Sequence, residues 1–371
     1  MSIAPERTAS AAAEVVIDPP SASPPRRSGV SLAWILRPTL MTVANFLAIV
    51  VLAFFLVQLI PGDPVVTATG GRLTGAELEA ARAAYGLDGP WWQQFATYLQ
   101  QLVSLDLGTS LATGRPVVDD LARRLPATLE LVLSGLFVAC VAATLLAYYT
   151  VTHRATRTAR VLTAYARSAG ALPEYVIGIA FLFLFYAVLH WAPAPTGRLD
   201  PILIAPPAVT GFPVLDAVIS GDAEVVQSLI AHLVLPVIVM VVAHSALLMK
   251  TLIVGLNAAI DDPSTRFRIA SGASRRTVIA SVFRRALPSA VAMLGMVFGL
   301  LLGGAVVLEA LFGLGGLGQY AVDAVNSSDV FALRSFLVVT AAVCLAAYLV
   351  TDIAIAIIDP RRRSGSAEGV R

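Results

Sequence analysis

Six apolar runs, each at or near the length of a bilayer crossing, alternate with polar segments along this chain. Thr39–Ile60 carries no charge and, as a helix, reaches about 33 Å. Similar runs follow at Leu131–Val151, Tyr175–Trp191, Val225–Met249, Ala286–Leu308 and Ser335–Ile358. The third is short unless it begins near Ala169 and takes in Pro173 and Glu174. The fold class expected is an all-α polytopic membrane protein of six transmembrane helices, with a cytoplasmic hairpin and a long external first loop. Residues 1–38 have no periodic apolar face and read as a disordered cytoplasmic tail. Residues 39–126 hold the first span and the external loop, 127–360 the core, and 361–371 a basic tail.

Two polar segments carry structure of their own. In the first outer loop, Glu77–Tyr85 is expected as a helix capped by Thr74 and stopped at Gly86. Trp91 and Trp92 suit a membrane–water interface. Before the fifth span, Asp262-Pro263-Ser264 is a helix start and Gly272 a stop. Ser274 then caps a second helix, with Ile279, Val282, Phe283, Ala286 and Leu287 forming an apolar stripe before Pro288 and the fifth span. Arg284 falls opposite that stripe, Arg285 on its flank, and Arg275 and Arg276 crowd the positive end of the helix.

Composition sharpens this picture. Of 371 residues, 57% are hydrophobic and only 13% charged, about half the share in soluble domains. The net charge of +2 matters less than its placement. Arg154, Arg157, Arg160 and Arg167 fill one loop without an acid. Lys250, Arg266, Arg268, Arg275, Arg276, Arg284 and Arg285 outnumber Asp261 and Asp262 in another. Loop 192–224 has Arg198 against Asp200, Asp216, Asp222 and Glu224. Positive loops face the cytoplasm, so both termini and the hairpin are placed there. A cleaved signal peptide is not expected, because the first run is too long for one and lacks an A-x-A site.

Enzyme chemistry is not legible. The one Lys-Thr pair, Lys250-Thr251, follows Met249 rather than the glycine of a phosphate-cradling loop, so ATP is not expected to be hydrolysed here. His153, His190, His232 and His244 lack metal-ligand spacing, and Cys140 and Cys344 read as packing residues. No catalytic residue, metal, cofactor or nucleic-acid partner is expected. Inside the spans, Asp352 is the most prominent charge and should face protein or water and find a partner. Asn45, His232, His244 and Glu309 are the other candidates for lining a path, each against the plainer reading of a local hydrogen bond.

Seven stretches in order give a resemblance: "LIPGDP" at 59–64, "YGLDGPWWQQF" at 85–95, "DLGTSLATGRPV" at 106–117, "RLPATLEL" at 124–131, "GASRRTVI" at 272–279, "GGAVVLEALFGLGGLG" at 303–318 and "IIDPR" at 357–361. The chain resembles the permease subunits of ABC importers of the dipeptide, oligopeptide and nickel class. The resemblance implies that the hairpin docks on an ATPase subunit and transmits nucleotide-driven closure. Gly272, Ala273, Ser274, Arg275, Arg276 and Val278 match the later part of the coupling motif. The earlier part, Arg266, Phe267 and Arg268 with Ala270 behind them, departs from the family's small or acidic residues. Implied partners are a second similar permease, two ATPases that use the ATP, an external solute-binding protein and the lipid bilayer. Peptide is the implied cargo, with nickel or another solute as the alternative. An ATP-independent secondary transporter is the rival of another kind; it would show inverted repeats and leave the hairpin unexplained.

Overall fold

The computed structural model describes residues 33–59 and 62–358. Both expected tails, apart from the start of the first helix, lie outside those residues. Thirteen helices are named in chain order: α1 Ala33–Gln58, α2 Pro64–Ala68, α3 Ala76–Ala84, α4 Trp91–Val103, α5 Val117–Thr152, α6 Arg157–Arg167 and α7 Glu174–Phe181, which continues as a π-helix over Leu182–Val188. Then come α8 Pro213–Ser220, α9 Ala223–Asp261, α10 Pro263–Ala270, α11 Arg275–Phe312, α12 Leu317–Asn326 and α13 Val330–Ile358. Five of them, α1, α5, α9, α11 and α13, are long and apolar enough to cross a membrane. This is a multi-pass all-α membrane protein.

The core forms where small residues let long helices approach, as van der Waals packing in lipid requires. On α5, Gly135, Ala139, Ala143 and Ala147 recur every fourth residue, and all four are buried against α9 and its neighbours. A side chain at Gly135 would run into Met240. Gly255 of α9 meets Ala286 and Ser289 of α11, while Gly295 and Gly299 of α11 meet Tyr348 of α13. Thus α5, α9 and α11 are central, α13 packs on α11, and α1 packs on α13 at the periphery. Pro126, Pro236 and Pro288 all lie inside helices, which neighbouring helices in a membrane bundle permit.

Two expectations are corrected. The third run does not extend back through Pro173: residues 168–173 are not helical, Pro173 is the N-cap of α7, and Glu174 is its first residue. Glu174–Val188 alone is too short for a full crossing, at about 22 Å. Thr74 does not cap α3; Gly75 does, with φ +58 and without a side-chain bond. The hairpin's second helix and the fifth run are one helix, α11, which passes Pro288 without a break.

One end of the bundle is a cap built from the first loop. Asp329, buried at the head of α13, accepts from Ser110 Oγ (2.5 Å), Ala112 N (3.2 Å) and Ala332 N (3.0 Å). Gly108, at φ +81, lies so close to the Phe331 ring that a β-carbon would collide with it. These contacts explain why the Asp-Leu-Gly-Thr-Ser stretch reads as a motif: it seats the loop on α13.

Candidate functional site

The opposite end carries the hairpin. Asp262 closes α9 and opens α10, its Oδ1 accepting from Ser264 N at 2.8 Å, with Pro263 at the first helical position. Its carboxyl is held below the usual range first by the Ser264 hydroxyl, then by the Ser264 amide and the Arg285 charge. At the other end Gly272 takes φ +75, and Gly272 N and Ala273 N close the helix onto Ile269 O (3.1 Å) and Arg268 O (3.0 Å). Ser274 Oγ then accepts from Thr277 N at 3.3 Å, starting α11 at Arg275. Both expected helix starts and the glycine stop are present.

Arg285, which the sequence placed only on a flank, is the bolt of this unit. Its guanidinium donates to Asp262 Oδ1 (3.1 Å), to Ala259 O (3.2 Å) and to the hydroxyls of Ser264 and Thr265. Thr265, buried, also donates to Ala259 O at 2.7 Å. The end of α9, α10 and the first turns of α11 are therefore tied together through one side chain. Replacing Arg285 with leucine removes every one of those donors. Amide protection over residues 264–273 is expected to fall by about tenfold, as the loss of a charged hydrogen bond implies. Hydrogen exchange checks this; unchanged protection would mean α10 holds itself.

Outward from the bolt, the surface mixes cations with apolar groups. Phe267 is 72% exposed and Ile269 61%, and Arg266, Arg268, Ala270, Arg275 and Arg276 are exposed beside them. Ala273 and Val278 are half-buried. Phe267 and Ile269 thus form an exposed apolar patch on an eight-residue helix.

Near the cap end, a buried polar lock joins three helices and a loop. Glu309 of α11 is wholly buried; its carboxylate accepts from Thr128 Oγ1 (2.6 Å), Gly318 N (2.6 Å) and Gln319 N (3.4 Å). Leu317 N donates in turn to Thr128 Oγ1 at 2.8 Å. The free amides of α12 are thereby satisfied by side chains of α5 and α11. Arg198, from the loop before α8, donates to Leu314 O and stands 3.8 Å from Glu309 and 4.0 Å from Glu130. Burial pulls its guanidinium below the ordinary arginine value, and the two carboxylates oppose that pull. The glycine run after α11 both turns the chain and packs α12 on α11. Gly313 and Gly315 are left-handed, and Gly318, already inside α12, lies directly on the α11 backbone at Val306.

The path candidates do not converge. Glu309 sits in the lock, and His232, bonded to Ser228 O at 2.8 Å, borders the same small void as Arg198 and Glu130. His244 Nε2 lies 3.1 Å from Glu174 Oε2, a pairing the sequence reading missed because 70 residues separate them. Glu174 folds over Gly304, where a β-carbon would displace it. Asn45 is exposed on peripheral α1. Asp352 is exposed on α13 and finds no ion-pair partner among the described residues, contrary to expectation; Asp359 lies outside them. Arg285, Arg198 and Glu174 were named in the sequence without these partners, because the bonds join residues that are distant along the chain. Among the described residues no cluster of three metal-ligating side chains occurs.

Comparison with known proteins agrees with this geometry. Residues 125–364 match the family described as binding-protein-dependent transport system inner membrane component, and residues 31–132 match its N-terminal companion. The chain is 33% identical to a probable D,D-dipeptide transport system permease protein of Escherichia coli, over 86% of this chain and 94% of the relative. It is 29% identical to a di/tripeptide transport system permease protein of Pseudomonas aeruginosa, over 90% and 99%, and 28% identical to the dipeptide transport system permease protein of Escherichia coli, again over 90% and 99%. The lock, the capped hairpin and four of the five long spans lie largely within the first match, α1 lies in the second, and the chain belongs to the binding-protein-dependent transport system inner membrane components.

Proposed function

We propose that this chain is one of two permease subunits of an ATP-driven importer and forms half of the path by which short peptides cross the membrane. The observation that carries the reading is the hairpin: a capped helix with an exposed aromatic–arginine surface, bolted by Arg285 to two long helices. Such a unit converts a push on α10 into a tilt of α9 and α11. Since α11 is one helix of 38 residues, about 57 Å, the same push reaches Glu309 and α12 at the far end. ATP is bound and hydrolysed by separate subunits that cover Phe267 and Ile269. The hairpin and both termini face the cytoplasm, as the arginine-rich loops favour. Substrate then crosses by alternating access as the helices rock.

The second permease covers the exposed stripe of α11 formed by Ala292, Met296, Leu300, Gly303, Val307 and Ala310, which recurs at helical spacing and holds three small residues. An external solute-binding protein docks on the cap. Peptide, rather than nickel, is the cargo favoured by the dipeptide relatives. Deleting the gene is expected to abolish growth on dipeptides as sole nitrogen source, and growth equal to wild type would remove peptide as the cargo. In the assembled importer, Phe267→Asp should weaken ATPase association by about 1–3 kcal/mol, the range for burying a large apolar side chain. Co-purification yields report it, and normal recovery of the ATPase would count against this docking surface.

A further inference from the structure

The cap holds a cavity of about 980 Å³, between the end of α1, α2, α3 and the head of α13. At its wall is Arg334, five positions into α13 and partly buried. Its guanidinium lies 4.3 Å from the Tyr98 ring centre, 5.3 Å from Phe331 and 5.8 Å from Phe54. It makes no hydrogen bond or ion pair to any described residue. Tyr98, beneath it, has its hydroxyl buried and likewise without a partner.

A guanidinium that is partly buried and open only to the cavity loses much of its hydration, and aromatic faces offset only part of that cost. The chain's own acids do not supply one. Asp63 also borders the cavity but is committed to Arg82 and to capping α2. Glu79 and Asp88, the remaining acids of the wall, are exposed. Gln58 and Gln94 are bonded to each other at 3.0 Å. The cavity therefore offers one unspent cation with carboxylates elsewhere on its wall, a complement to a zwitterion.

We propose that this cavity binds a small zwitterion by its oxyanion, with Arg334 as the receptor and Glu79 or Asp88 facing the ammonium. Two sources share that chemistry: a dipeptide, and the ethanolamine headgroup of a phospholipid. Only the first rests on the peptide reading above. The test uses the full-length protein, purified and stripped of lipid, with melting followed during titration. The probes are dialanine, dialanine amide, dioctanoyl phosphatidylethanolamine and dioctanoyl glycerol. Dialanine or the phosphatidylethanolamine should raise the melting temperature, while the amide and the glycerol lipid should not. Arg334→Gln should weaken the effective probe about tenfold or more. Ala80→Trp, which fills the cavity from α3 and leaves Arg334 in place, should do the same if Arg334→Gln fails to fold. A response to the lipid alone supports the site and assigns it to the bilayer, leaving the transport reading standing. The proposal is overturned if neither zwitterion stabilises the wild type beyond its control. It is equally overturned if the folded variants respond as the wild type does.

Discussion

Glu309→Ala is expected to yield a protein that inserts but melts early, with the α11–α12 turn open to protease. The carboxylate is wholly buried, holds two amides of α12 and faces Arg198. Alanine leaves those amides without acceptors and Arg198 without its nearer counter-charge. Removing one partner of a buried ionic group costs about 3–5 kcal/mol, a large part of the stability of an ordinary domain. Glutamine is the informative control. Its one oxygen can accept either from Thr128 or from the two amides, which bond different oxygens of the carboxylate, and the charge is gone, so Glu309→Gln should fall between wild type and alanine if both roles matter. A thermal melt of the purified variants decides this, and an alanine variant that melts with the wild type would show that the lock is ornamental.

The second large effect is expected at the hairpin. Gly272 holds φ +75 and donates its N–H to Ile269 O. Proline is confined near φ −65° and has no N–H, so Gly272→Pro breaks both the left-handed turn and the closure of α10. The long helices do not depend on that turn, and insertion should be normal. In the assembled importer, stimulation of ATP turnover by solute-loaded binding protein should be lost, leaving the basal rate. Gly272→Ala should retain part of it, because a non-glycine residue in that region costs about 1–2 kcal/mol without removing the donor. Full stimulation in the proline variant would separate the hairpin from coupling.

The sequence by itself determined five of its six expected spans, and for a physical reason: a bilayer admits an uncharged helix of a given length almost regardless of what packs beside it. The hairpin was legible for a similar reason, since Asp262, Pro263, Gly272 and Ser274 act on their own neighbours within a turn. Where local signals competed, the sequence misled. Thr74 is the better capping residue by type, yet α3 starts from Gly75 beside it. Only the tertiary structure decided which charges meet. Arg198 reaches Glu309 across 111 positions, His244 reaches Glu174 across 70, and Arg285 turns from a helix flank into the joint between α9 and α10. No periodicity records such pairings, because a side chain's partner across the bundle is set by helix packing and not by its place along the chain.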